Sequence, residues 1–240
     1  MMTKIRGWRG MLLVAVSVCC ALSFSFAEGA KKVAVKPDLP KVLVIGDSIS
    51  LGYFSRVRVL LKGKAVVRHN AGNAGPTMLG IANIERWLGN TKWDVIHFNW
   101  GLWDMYGWSY VNVERTPELY EKRLEQLVSR LEKTGAKLIW GTTTPVCTEA
   151  EWTMQRKYKK DVLITPELEK KYHDAAMRVM KKHHIQVDDL YGCIKPDYAK
   201  YTLGPKNVHY NKGGYNLLGK QVAKTIEATL KEMKDSASSN

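Results

Sequence analysis

The chain has 240 residues, of which 45% are hydrophobic, 10% aromatic and 25% charged, as in ordinary globular proteins. This composition excludes a mainly disordered or collagen-like protein, and four cysteines are too few for a disulfide scaffold. The formal net charge of +14 favours acidic partners. Because the basic residues form no arginine-rich run and no nucleic-acid motif, we expect no nucleic-acid partner; a polyanionic carbohydrate is the more reasonable one.

The N-terminus is typical of a secretory signal peptide. A basic start precedes an apolar run over 11–21, which is too short for a comfortable bilayer crossing, and small residues up to Ala27 suit cleavage before Glu28. We therefore expect a secreted or periplasmic protein with no stable membrane insertion after cleavage. A lipoprotein anchored through Cys19 or Cys20 and an uncleaved anchor are the alternatives.

In the rest of the chain, short continuous apolar runs alternate with segments whose apolar residues recur at helical spacing. Predicted strands cover 41–45, 64–68, 93–98, 137–141 and 185–188; predicted helices run to Leu61, over 78–88, from Thr116 towards Gly135, from Thr165 to about His183 and from Asn211 to about Met233. Strands alternating with helices imply an α/β fold with a parallel sheet and helices on both faces. In such sheets the functional site lies at the carboxyl ends of the strands.

No second domain is visible, so the organisation is simple. We predict a signal peptide over 1–27, an exposed leader over 28–40, one domain over 41–233 and a disordered tail over 234–240. Cys147 and Cys193 each follow a predicted strand. Export to an oxidising compartment makes one disulfide between them a prediction, with two free thiols as the alternative.

Three segments contain candidate catalytic or ligand-binding residues. Ser48 stands at a strand-to-helix turn, where helix amides favour developing negative charge, although a serine there is also a common helix cap. The glycine-rich loop 70–77 follows the second strand, and glycine lets backbone approach a ligand closely; an ordinary turn is the alternative. His209 precedes the last helix and is a candidate general base for a serine, although a lone histidine is more often an ordinary residue.

Together these segments resemble the SGNH, or GDSL-type, serine hydrolase superfamily, and a bacterial secreted subgroup within it. Gly46-Asp47-Ser48 matches the nucleophile block, 70–77 the second block, Gly101-Leu102-Trp103-Asp104 the third and Val208-His209-Tyr210 the last. The resemblance covers 41 to about 230. It implies a flavodoxin-like three-layer sandwich with a five-stranded parallel sheet, and an esterase that works without metal or another cofactor, often on acetylated carbohydrate. Ser48 would be the nucleophile, His209 the base, and the Ser48 and Gly75 amides the oxyanion donors.

The chain departs from this family at two positions. Trp103 replaces the oxyanion asparagine; its indole N–H is a donor, and Asn99 is a nearby substitute. Lys206 stands where the family has the aspartate that orients the histidine, and a lysine cannot accept the imidazole N–H. Asn207, Asp197 or a backbone carbonyl is then the candidate for orienting His209.

Aromatic residues crowd the loop after the third strand. A substrate platform for sugar rings or an acyl chain is one interpretation, and packing of large aromatic side chains in the core is the other; the platform would consist of Trp100, Trp103, Tyr106 and Trp108. Trp87, Trp93 and Trp140 are expected in the core. His183-His184 is expected to be a solvated helix end and not a metal site.

The sequence therefore predicts a secreted serine esterase that hydrolyses carboxylic esters, in particular acetyl esters on a carbohydrate or small molecule. A carbohydrate-binding pseudoenzyme on the same fold is the alternative that Lys206 and Trp103 favour. A cell-surface structural or adhesive protein is a third hypothesis. The oligomeric state does not follow from the sequence.

Overall fold

The structure is a computed structural model and describes residues 38–110, 112–146, 164–205 and 207–239. The predicted signal peptide and most of the predicted leader lie outside the described residues. Cys147 and Lys206 do too. The predicted disulfide therefore stays a prediction.

Five parallel strands form one sheet. The strands are β1 (Lys41–Ile45), β2 (Val66–His69), β3 (Val95–Phe98), β4 (Lys137–Gly141) and β5 (Gln186–Asp188). Their order is β2-β1-β3-β4-β5, and every neighbouring pair is parallel. The α/β fold predicted from the alternating pattern is confirmed. The two central strands β1 and β3 are apolar almost throughout and buried, as expected of strands covered on both faces.

Helices surround the sheet in two groups. They are α1 (Ser48–Leu60), α2 (Thr77–Leu88), α3 (Leu102–Tyr106), α4 (Pro117–Glu132), α5 (Pro166–Lys182), α6 (Leu190–Ile194), α7 (Tyr198–Tyr201) and α8 (Lys212–Ser238), with 3₁₀ turns at Trp108–Tyr110 and Lys195–Asp197. In one group α1 packs against α8, and in the other α2 and α5 both pack against α4. None of the described helices is long and apolar enough to span a bilayer.

Side-chain caps set the starts of the long helices. The hydroxyl of Thr116 accepts from the Leu119 amide, that of Thr165 from Leu168, and Asn211 accepts from Gly214. Each bond satisfies an amide that has no partner within its helix. These starts confirm the predicted caps. The predicted tail is wrong, however, because α8 continues through residues 234–238.

Trp87, Trp93 and Trp140 lie in the core as predicted. A polar pair is buried beside them: the ring of His97 on β3 lies 3.0 Å from Asp188 on β5. The second oxygen of Asp188 accepts from Gln221 and Thr225 of α8. Since a buried carboxylate is costly unless it is hydrogen-bonded, this network fixes α8, and with it the segment that precedes α8, against the sheet.

Close packing of α2 fixes the loop after β3. A Cβ atom on Gly80 would lie 2.9 Å from the indole of Trp100, and Trp100 is itself buried. The hydroxyl of Tyr120 donates to the Trp100 carbonyl from the other side. The absence of a side chain at Gly80 therefore lets α2 pack directly on the first residues of this loop.

We expect Gly80→Ala to lower the free energy of unfolding by about 1–3 kcal/mol, because the added methyl overpacks a rigid buried ring. In an unobstructed helix the same change stabilises by about 0.5–1 kcal/mol. Urea unfolding monitored by circular dichroism measures the difference. Ile81→Ala, on the exposed side of α2, is the control and should stay within about 0.5 kcal/mol of wild type. A Gly80→Ala variant as stable as wild type would contradict the packing argument.

Candidate active site

The carboxyl edge of the sheet brings together two side chains that are 161 positions apart. The Oγ of Ser48, directly after β1, lies 2.9 Å from Nε2 of His209, in the segment that leads into α8. Both groups are partly buried. The distance is that of an ordinary hydrogen bond, so the serine and the histidine predicted to work together are in direct contact.

Asp47, and not Ser48, caps α1. The carboxylate of Asp47 accepts from the Ile49 amide at 2.9 Å, and Ser48 is the first helical residue. The interpretation of Ser48 as the helix cap is therefore wrong. Because Asp47 satisfies the helix end, the Ser48 hydroxyl is directed to His209. Burial raises the pKa of Asp47 to about 6, against the opposing effect of the backbone hydrogen bonds that it accepts.

Asn207 orients the imidazole of His209. Its Oδ1 lies 2.9 Å from Nδ1 of the ring and 2.9 Å from the His209 backbone nitrogen. A backbone N–H only donates, so this atom of Asn207 is the oxygen, and it accepts from Nδ1–H as well. The neutral ring then carries its proton on Nδ1 and presents a bare Nε2 to the Ser48 hydroxyl.

Asp197 does not take this position. It lies exposed in the 3₁₀ turn Lys195–Asp197, whereas Asn207 occupies Nδ1. Of the two predicted candidates, the amide and not the carboxylate orients His209. Burial lowers the pKa of His209 from its usual value, and the amide of Asn207 brings no negative charge that would raise it. The ring is consequently neutral, as a general base must be, at neutral pH.

Of the two backbone donors predicted for an oxyanion, one is occupied. Gly75 has φ +60°, a conformation that favours glycine. Its N–H donates to the side-chain oxygen of Asn73 at 2.8 Å. The amide of Ser48 lies in the first turn of α1, where amides have no acceptor within the helix. An incoming oxyanion would therefore have to displace Asn73 from Gly75.

The two predicted side-chain donors differ in their hydrogen bonds. Both amide hydrogens of Asn99 are engaged, one by the Gly141 carbonyl at 2.8 Å and one by the Thr143 hydroxyl at 3.4 Å. The indole nitrogen of Trp103 is buried without a hydrogen-bond partner, and its ring packs edge-on against Trp108 at 4.6 Å. Asn99 therefore has no free amide hydrogen for an oxyanion, whereas the role of Trp103 as a donor stays a prediction.

The predicted aromatic platform is also wrong. Trp100, Tyr106 and Trp108 are only 1%, 2% and 6% exposed, and the rings of Tyr106 and Trp108 stack on each other 4.9 Å apart. Trp103 is partly exposed but packs against the same cluster. These rings are core side chains of the loop after β3, and a substrate cannot stack on faces that are already covered.

Sequence reasoning missed a tether between the second and third loops. Asp104 on α3 is buried and accepts from both the backbone N–H and the hydroxyl of Thr77, the first residue of α2. Burial raises the pKa of Asp104 to about 7, although the bonds from Thr77 oppose the shift. Only the sequence position of Asp104 in the third block could have indicated this role.

A second serine–histidine contact lies beside the first. The Oγ of Ser50 lies 2.7 Å from Nε2 of His69 at the end of β2 and 2.7 Å from the Asp47 carbonyl. Ser50 is only 3% exposed, so it is closed to substrate. The pair instead links β2 to the turn that carries Ser48, and so does Asn70, whose side chain accepts from the Gly46 amide.

A cleft of about 420 Å³ opens at the carboxyl ends of β4 and β5, the size of an ordinary small-molecule site. Among the described residues its lining includes Met105, Thr143, Tyr172 and Tyr191, but not Ser48 or His209. No group of three or more His, Cys, Asp and Glu side chains within the described ranges is arranged to hold a metal ion.

No protein-family profile and no curated protein matches this chain. Solved structures do match it. It is similar to the acetyl xylan esterase AlAXEase (TM-score 0.61, 15% identity, 78% of this chain and 99% of that one) and to a lipase/acylhydrolase from Enterococcus faecalis (0.62, 18%, 79% and 96%). A GDSL-like lipase from Bacteroides thetaiotaomicron VPI-5482 also matches (0.60, 13%, 78% and 88%). The chain therefore has the α/β fold of the SGNH and GDSL-type hydrolases.

We expect Asn207→Asp to raise the pKa of His209, because a carboxylate at Nδ1 stabilises the imidazolium. Titration of the His209 ring by NMR from pH 4 to pH 9 measures the shift. Asn90→Asp, exposed in the turn after α2, adds the same charge away from the site and should leave the His209 titration unchanged. An unchanged titration in Asn207→Asp would mean that Asn207 does not contact the ring in solution.

Proposed function

We propose that this chain is a serine hydrolase of carboxylic esters, in which Ser48 is the nucleophile and His209 the general base. The observation that supports this most directly is the 2.9 Å contact between Ser48 Oγ and His209 Nε2. The Asn207 bond at Nδ1 leaves that nitrogen as the acceptor. A hydroxyl is a weak nucleophile unless a base removes its proton, and this arrangement supplies the base.

The proposed reaction has two stages. In the first, Nε2 takes the Ser48 proton as Oγ bonds to the ester carbonyl carbon; the tetrahedral intermediate collapses, and Nε2 gives the proton to the departing alcohol. In the second, Nε2 takes a proton from water as the water oxygen attacks the acyl-Ser48. The carboxylic acid leaves, and the proton returns to Ser48 Oγ. His209 thus alternates between base and acid.

The oxyanion of each intermediate would be stabilised by backbone amides. The Ser48 N–H lies at the positive end of α1, and the Gly75 N–H becomes available when Asn73 releases it. Preorganised donors of this kind are the largest single contribution in many acyl-transfer enzymes. In this chain one of the two predicted donors must exchange partners first, which adds a cost to every turnover.

An acetyl ester on a carbohydrate is the substrate class that we propose. Support comes from the fold, which an acetyl xylan esterase shares at low identity. The cleft of about 420 Å³ at the ends of β4 and β5, on the same edge of the sheet as Ser48, has room for a sugar ring. We further propose export to an extracytoplasmic compartment, because residues 1–27 have the basic start, short apolar run and small-residue end of a signal peptide.

A carbohydrate-binding protein without hydrolase activity is the second candidate. Two observations favour it: an amide, not a carboxylate, faces Nδ1 of His209, and Asn73 occupies the Gly75 amide. An amide stabilises the imidazolium of the transition state less than a carboxylate does. The two candidates share the fold and differ only in whether Ser48 reacts.

We expect a fluorophosphonate probe to label wild type on Ser48, and Ser48→Ala to lose the label together with hydrolysis of 4-nitrophenyl acetate. Intact-protein mass spectrometry and absorbance measure the two readouts. Ser55→Ala is the matched control, since Ser55 lies exposed on the same helix and should keep both. A folded wild type that neither reacts with the probe nor turns over the ester would favour the binding protein.

The pH profile of kcat/KM gives a separate prediction. Burial lowers the pKa of His209, so activity should fall only as the pH drops below the usual histidine value of about 6.5. Asn207→Asp should move this acid limb to higher pH. It should also raise the plateau about fivefold, since a charge-assisted hydrogen bond is worth about 1 kcal/mol more than a neutral one. An acid limb above the usual histidine value in wild type would contradict the assignment of His209 as the base.

A further inference from the structure

Charge is distributed unevenly between the two groups of helices. From Ser48 to His69, which covers α1 and β2, the sequence contains five basic residues and no acid: Arg56, Arg58, Lys62, Lys64 and Arg68. The helix α8, which packs against α1, adds five lysines against three acids, which are Glu227 and, in its last two turns, Glu232 and Asp235. This side of the molecule is therefore strongly positive.

The opposite group of helices neutralises its own charge. Arg130 on α4 pairs with Glu85 on α2, Arg178 on α5 pairs with Glu121 on α4, and Lys182 pairs with Glu125. On the α1–α8 side the described residues form one such pair, between Lys64 in the turn after α1 and Glu227 of α8. A positive net charge could be spread evenly over the surface. In this protein the basic residues outnumber the acids on the α1–α8 side, so the positive field is concentrated on that face.

The positive face contains a groove. A depression of about 540 Å³ lies between the end of α1 and the middle of α8. Its lining includes Leu60, four lysines and one acid, Glu227, which pairs with Lys64; the other lysines are Lys220, Lys224 and Lys231. All four lysines are exposed. Within the described part of the chain Lys220, Lys224 and Lys231 have no ion-pair partner. Their spacing of four and seven residues places them along one side of α8. We call this depression the lysine groove.

We propose that the lysine groove binds an acidic polysaccharide. Exposed ammonium groups are point charges on flexible stems, which suit carboxylate or sulfate groups spread along a chain. None of the described residues that line the groove is aromatic, so this part of the groove lacks the surfaces on which the bases of single-stranded nucleic acids stack. That the ligand is a polyanion is argued from the charge of the groove alone. That it is a carbohydrate rests on the proposed function.

The groove is placed to hold a polymer without blocking the candidate active site. Ser48 begins α1 and Leu60 ends it, so the two lie about 20 Å apart at 1.5 Å per residue. The segment that carries His209 precedes α8, and the groove lysines of α8 follow about two to five turns into the helix. A polysaccharide held by this groove would raise the local concentration of ester groups near Ser48.

Binding of polygalacturonate, with neutral dextran as the uncharged comparison, tests the proposal on the purified protein. We expect affinity for polygalacturonate that weakens with salt, and no measurable affinity for dextran. The variant Lys220→Glu/Lys224→Glu/Lys231→Glu should bind at least tenfold more weakly. The control Lys122→Glu/Lys133→Glu/Lys171→Glu makes the same change in net charge at exposed lysines of α4, of its C-terminal end and of α5 and should lose less than threefold. Isothermal titration calorimetry measures each affinity.

Several results would overturn the proposal: equal losses in the two triple variants, equal binding of dextran, absence of binding, or tighter binding of duplex DNA or of phosphatidylglycerol vesicles than of polygalacturonate. If the glutamate variant does not fold, as judged by circular dichroism, the corresponding triple glutamine variant replaces it with the same expectation. Ser48→Ala should bind polygalacturonate as wild type does, so a failure of the proposed catalysis leaves this test intact.

Discussion

The cap of helix α1 is the interaction on which the candidate site depends. A helix that starts directly after a buried strand leaves amides without partners, and some group near the turn must satisfy them. In this chain the Asp47 carboxylate does so, which directs the Ser48 hydroxyl to His209. If Ser48 were the cap, its oxygen would accept from its own helix, and a contact with His209 would compete with helix formation. Asp47 is buried, and the raised pKa of its carboxyl reflects the cost of holding it there.

The remaining contacts hold the loops at the carboxyl edge of the sheet against one another. Asn70 bonds the first loop to the second, Asp104 bonds the third to the second through Thr77, and Trp100 packs under Gly80. Asp188 bonds to Gln221 in the middle of α8, the helix that follows His209, and so holds this helix against the sheet. Each contact joins segments that are distant in sequence. The distance between Ser48 and His209 therefore depends on the contacts among all of these loops, and not on the conformation of either loop alone.

The site differs from a complete serine triad in its electrostatics more than in its shape. Asn207 gives the ring the tautomer that a base requires, but it supplies no charge for the imidazolium. Asn73 holds the Gly75 amide that the proposed reaction would use for its oxyanion. In that proposed reaction both features would reduce stabilisation of the transition state. Such a geometry fits a slow hydrolase, and it explains why the fold alone does not decide between hydrolysis and binding.

The sequence by itself determined the strand and helix pattern, the caps at Thr116, Thr165 and Asn211, and the candidate pair Ser48 and His209. These follow from local propensity, from apolar periodicity and from short motifs, which act within a few residues. Only the tertiary structure decided that Asp47 caps α1, that Asn207 rather than Asp197 faces His209, and that the aromatic cluster is core. Each of these depends on which of several competing side chains reaches a given atom or is covered by a neighbouring element. Packing between segments that are far apart in the chain determines these contacts, and a local sequence pattern contains no information about such packing.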